Sequence, residues 1–232
     1  MKKFWLGLAG LALVSVLVAC PGGGGSGSPT LTGTIAGFTG GSSAVVRIYA
    51  VTNPRVNWFD SASFFTPIAA GATVIGEGTI NAAGNFSVQL PSDTTMALYA
   101  QTRVVPNQQS GCTGSSSGSS TANVAQIVVK VENNGTSLGF LTQQSPGADN
   151  IISTVPGTYY DIWRYWVNSA FGMQKNCPNL FDATLNFTTG WNNITVRTTV
   201  SANNISIFDA LKTGALPSTL EWILKPITVN GF

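Results

Sequence analysis

The residues best suited to chemistry stand in one short run, Tyr159 to Val167, "YYDIWRYWV". Read with the two-residue period of a strand, it places Tyr159, Asp161, Trp163 and Tyr165 on one face and Tyr160, Ile162, Arg164 and Trp166 on the other. Flat aromatic rings with a carboxylate at hand are what a sugar-binding platform needs, and arginine can stack on a ring as well. Tyr159, Asp161, Trp163 and Tyr165 are therefore the candidate ligand face. Aromatic residues are also enriched in strands that pack on both sides, so a central core strand is the competing reading.

The remaining inventory is defined by what is missing. The chain has no histidine, which removes the usual general base near neutral pH and the commonest metal ligand. Neither a Ser-His-Asp arrangement nor a histidine-containing zinc site can be assembled. Nine carboxylates are scattered at Asp60, Glu77, Asp93, Glu132, Asp149, Asp161, Asp182, Asp209 and Glu221. A glycosidase needs only two at about 5 to 9.5 Å, yet no pair here sits in a motif. The expectation is a protein without catalytic residues, metal or cofactor.

Charged residues make up only 9% of the 232, far below the roughly 25% of an ordinary soluble domain. Glycine, serine, threonine and asparagine take their place, as in turn-rich extracellular β proteins. Eleven basic residues face nine acidic ones, and two of the basic ones are Lys2 and Lys3. Without that N-terminal pair the charge is balanced and no basic run remains. Nucleic acid, whose binding rests on phosphate neutralisation, is thus excluded as a partner.

Lys2 and Lys3 precede sixteen uncharged residues, Phe4 to Ala19, which is short for a membrane span of about 20 residues but suits a signal sequence. With "LVAC", Leu17 to Cys20, the segment resembles a bacterial lipoprotein signal peptide and its lipobox. The resemblance implies cleavage before Cys20, acylation of its thiol and new amino terminus, and export to the cell membrane or outer membrane. Membrane lipid is then a partner through Cys20. Residues 1–19 would be signal, and residues 20–30 the lipidated cysteine and a Gly/Ser tether reaching about 15 to 20 Å.

Assigning Cys20 to lipid leaves Cys112 and Cys177 as an even pair in an oxidising compartment, so a disulfide between them is expected. Closing that loop would stabilise by up to about 4 kcal/mol.

Alternation and turn residues predict an all-β chain of two antiparallel sandwich-like lobes, residues 31–105 and 124–232, separated by a Ser/Gly-rich linker at 106–123. "AVVRIYAVT" alternates cleanly, and Asn81 to Asn85 reads as a tight turn with Gly84 at positive φ. One or two helical turns are expected near Ile207 to Thr213.

Gly33, Ile35 and Gly37, then Gly84, Phe86, Leu90 and Pro91, resemble the opening strand and hairpin of carboxypeptidase-regulatory or transthyretin-like sandwiches. "LNFTTGWNNITV", Leu185 to Val196, resembles C-terminal β domains of uncharacterised bacterial surface lipoproteins. The resemblances imply a scaffold or binding module with no reaction of its own. An envelope glycan, bound near Trp163, or an envelope protein is the expected partner.

Overall fold

The computed structural model describes residues 28–50, 73–102, 113–118, 121–146, 156–177, 181–202, 206–214 and 216–225. The described chain is all-β, with fourteen strands and one short helix. Strands β1 (Thr30–Thr34), β2 (Ala44–Ala50), β3 (Thr73–Ile80) and β4 (Asn85–Gln89) lead into helix α1 (Asp93–Ala97) and the two-residue β5 (Gln101–Thr102). β6 (Thr113–Gly118), β7 (Asn123–Asn133), β8 (Thr136–Gln144), β9 (Gly157–Val167) and β10 (Phe171–Cys177) follow. β11 (Phe181–Phe187), β12 (Gly190–Val200), β13 (Ser206–Thr213) and β14 (Glu221–Lys225) complete the order.

Local chemistry accounts for the hairpins. In β2 the apolar positions Val46 and Ile48 are fully buried while Val45, Arg47 and Tyr49 are half-buried on the other face. Between β3 and β4, Gly84 takes φ +81° and the Asn81 side chain accepts from the Ala83 and Asn85 N–H groups, each at 3.0 Å. Asparagine that bonds its own turn and glycine free of a Cβ clash set this hairpin without help from elsewhere. Asn134 and Gly135, both at positive φ, turn β7 into β8 in the same way.

Tertiary pairing joins these pieces into one sheet ordered β1-β4-β3-β2-β7-β8-β9-β12-β13-β11-β10-β6, with β14 on β8 and β5 on β7. Every ladder is antiparallel except β11 with β13. The first half closes on itself: Ile35, just past β1, bridges in parallel to Trp222 of β14, and the Ala36 N–H donates to the Trp222 carbonyl at 3.0 Å. β1, β4, β3, β2, β7, β8 and β14 thus form a circuit, which leaves few of its edges open.

Two hydrophobic cores result. The first gathers Val46, Ile48, Phe86, Val88 and Met96 with Ile127, Val129 and Val131 of β7, Leu141, Trp166 and Trp222. The second joins Val124, Tyr165 and Val167 with Phe171, Met173, Leu185, Phe187, Ile194 and Val196, so the sheet curls until β10 and β11 face β9 and β12.

Both cores draw on β7 and β9, with Ile127, Val129, Val131 and Trp166 in the first and Val124, Tyr165 and Val167 in the second. β2 pairs with β7 from Ala44↔Asn133 to Ala50↔Ile127, and residues 31–105 reach closure only with β7, β8 and β14. The apolar stripe of β7 covers what the N-terminal strands would otherwise leave wet. Within the expected linker, Thr113–Gly118 is strand β6, held by the β10 ladder from Thr113↔Asn176 to Gly118↔Phe171. The helix expected near Ile207 to Thr213 is strand β13, because β12 and β11 pair with both of its edges and override a weak local preference. The described helix is instead α1, where the Ser92 hydroxyl accepts from the Thr95 N–H at 3.2 Å as N-cap.

Candidate functional site

β9, like β7, contributes to both cores. It pairs with β12 over eleven residues, from Gly190↔Val167 to Val200↔Gly157, and touches β7 and β8 on its other edge. Its period-two faces therefore go to different places. Trp166 enters the first core and Tyr165 and Val167 the second.

The expected ligand face splits along its length. Tyr165 is 0% exposed, so its ring is core and offers no surface to a sugar. Trp163 is half-buried and packs against the second core. Tyr159 and Asp161 are half-buried further along the same face. No flat platform of all four residues is presented, because the curl of the sheet folds β10 and β11 over its Tyr165 end.

Asp161 is the acidic group of that face. Its Oδ2 lies 3.9 Å from Lys225 Nζ, while its Oδ1 and the nearby Thr142 Oγ1 are buried without a hydrogen-bond partner. Burial raises the Asp161 pKa above the usual carboxylate range, opposed by the field of Lys225, by hydrogen bonds from Ile162 and Trp163, and by Arg164.

The opposite face of β9 carries Arg164. Its Nη2 donates to Gln143 Oε1 at 2.6 Å, and its Cζ stands 4.8 Å over the Trp222 ring. Burial lowers its pKa to about 10, with Asp161 opposing that shift through its charge alone. Arg164 Nε and the Thr195 hydroxyl are buried without partners.

A second polar cluster escaped sequence reasoning because its members lie far apart along the chain. Arg47 of β2 donates from Nε to Glu77 Oε2 at 2.9 Å and from Nη1 to Glu132 Oε2 at 2.7 Å. The Tyr49 hydroxyl donates to the other Glu132 oxygen, and Lys130 Nζ lies 4.6 Å over the Tyr49 ring. Glu132 is nearly buried and Glu77 about half exposed. Both carboxylates raise the Arg47 pKa, while burial and the bond to Glu132 raise that of Tyr49. Only the placement of Arg47 and Tyr49 on one face of a strand was legible beforehand.

Among the described residues no three Cys, Asp or Glu side chains are grouped to hold a metal ion. Cys177 ends β10 and is buried. Its neighbour Asn176 pairs with Thr113, the residue after Cys112. Cys112 and Cys20 lie outside the described residues, as do the expected signal segment, residues 1–19, and most of the expected tether, residues 20–30. No protein family, curated protein or solved structure matches this chain.

Proposed function

We propose that this is an exported lipoprotein, anchored through acylated Cys20, whose β body serves a scaffold or binding role in the cell envelope without catalysing a reaction. The observation that carries the reading is the position of the first described strand: β1 begins at Thr30, the last residue of the expected Gly/Ser tether. In sequence only the nine residues Pro21 to Pro29 lie between Cys20 and that strand. Several acyl chains, each CH₂ contributing about 0.8 kcal/mol on burial, hold such a body at a bilayer far more firmly than one.

A non-catalytic role is supported by how the ionisable groups are used. Arg47, Glu77 and Glu132 satisfy one another, and Asp93 accepts from an indole N–H. A disulfide between Cys112 and Cys177 belongs to the same reading, since export provides the oxidising compartment and Asn176, the sequence neighbour of Cys177, pairs with Thr113, the sequence neighbour of Cys112.

Expression of the full chain in bacteria with labelled fatty acid tests the anchor. The wild-type protein should carry label, partition into detergent and have a mass consistent with cleavage before Cys20; Cys20→Ser should accumulate uncleaved and unlabelled. A labelled, processed Cys20→Ser protein would overturn the reading.

A further inference from the structure

We propose that the β9–β12 face around Arg164 and Thr195 is a binding site for an oxyanion, a carboxylate or phosphate group of a small solute or glycan. This deepens the binding role above without depending on the lipid anchor.

The register lays out the site. On this face Arg164 stands opposite Asn193, and the next row aligns Trp222, Gln143, Ile162 and Thr195 across β14, β8, β9 and β12. Thr195 is thus the diagonal neighbour of Arg164 on this face. Arg164, Gln143, Asn193 and Thr195 each keep part of their surface exposed, while Arg164 Nε and Thr195 Oγ1 themselves are buried, as is Ile162 between them in the row.

The guanidinium is already positioned. Trp222 supports its plane and Gln143 fixes one amino group, which removes most of the rotamer freedom an arginine would lose on binding. Among the described residues no carboxylate hydrogen-bonds to it, and Asp161 acts on it through charge alone, from the opposite face of the strand and beside Lys225. A desolvated cation held beside a donor and a hydroxyl that lack partners is costly unless an anion completes it. An oxyanion seated between the two residues would accept from Arg164 Nε–H and from the Thr195 hydroxyl, in the fork geometry that arginine offers to carboxylate and phosphate. The half-exposed Asn193 amide, opposite Arg164, is placed to supply a further donor.

The test uses the purified full chain in detergent, its acylation state determined separately by mass, so that failure of anchoring and failure of anion binding are read independently. Sodium glucuronate and sodium phosphate are titrated while the Arg164 Nε–H resonance is followed by NMR, with sodium chloride at matched ionic strength as control. A saturable shift with either anion and none with chloride supports the site, and the two arms tell carboxylate from phosphate. Thr195→Val, nearly isosteric, should weaken binding about fivefold, the worth of one hydrogen bond. Arg164→Lys, which keeps the charge and loses the fork, should weaken it by about tenfold or more. No shift with either anion, or equal affinity in wild type and Thr195→Val, would overturn the proposal.

Discussion

Trp166 and Trp191 are direct cross-strand partners in the β9–β12 ladder, and both donate their indole N–H to the same short segment of the N-terminal half. Trp166 Nε1 reaches Asp93 Oδ1 at 2.7 Å and Trp191 Nε1 reaches the Pro91 carbonyl at 3.2 Å. The pair clasps the segment that caps α1, 73 and 100 residues away in sequence, while its rings pack on the first core. Indole combines a large apolar area with one donor, which makes this joint both tight and directional.

That clasp should be measurable. Asp93→Ala leaves the buried Trp166 N–H without an acceptor and should destabilise by about 1 to 3 kcal/mol, seen as a lower denaturant midpoint with an unchanged slope. Trp166→Phe combined with Asp93→Ala should cost less than the sum of the two single changes. Additive losses would show that the indole bond contributes nothing.

The seam between β1 and β14 depends on Gly33. A Cβ there would lie 2.2 Å from Trp222 Cδ1 and 2.3 Å from its Nε1, and Trp222 is itself 4.9 Å from Phe86 in an edge-on contact. Gly33→Ala should therefore destabilise by about 1 to 3 kcal/mol and raise amide exchange in β14, where displacement of the indole opens the circuit. Gly135→Ala meets no atom within 4 Å and should be limited to the backbone strain of φ +78°.

Glu77 and Glu132 both bond Arg47 but differ in burial. Glu132→Gln disturbs the bonds to Arg47 and Tyr49 in a nearly buried setting and should cost about 1 to 3 kcal/mol. Glu77→Gln, at a half-exposed ion pair, should cost less than about 1 kcal/mol and less still at high salt. Thermal unfolding of both variants at low and high salt checks the ranking.

Asp161 gives stability a pH dependence with a definite sign. Its folded pKa is raised above the unfolded value near 3.9, so its favourable contribution is complete below that value and is lost as pH rises through the folded pKa. Asp161→Asn should match wild type near pH 4 and gain on it progressively toward neutral pH. Parallel denaturation curves from pH 4 to 7 decide this; a difference independent of pH would remove Asp161 as the source.

For the cysteines, thiol titration of the denatured, unreduced mature protein should find no free thiol. Reduction should then lower stability by up to about 4 kcal/mol, and Cys177→Ser should behave like the reduced protein. Two reactive thiols in the unreduced chain would break the pairing.

The sequence by itself determined the parts whose physics is local. Alternation in "AVVRIYA" settled which residues of β2 share a face, because a strand's side chains must alternate. Asn81 and Gly84 settled a hairpin turn, because one supplies acceptors to its own backbone and the other tolerates positive φ. The all-β class followed from many such segments. Tertiary structure decided what depends on partners. "TGSSSG" has no apolar face and becomes strand β6 through its hydrogen bonds to β10. Ile207 to Thr213 becomes strand rather than helix because two neighbours claim its edges. The aromatic run of β9 was recognisable as important, but alternation alone cannot say which face meets water. That Tyr165 is core, and that Arg164 stands over Trp222, follow from the curl of a sheet whose strands come from both ends of the chain.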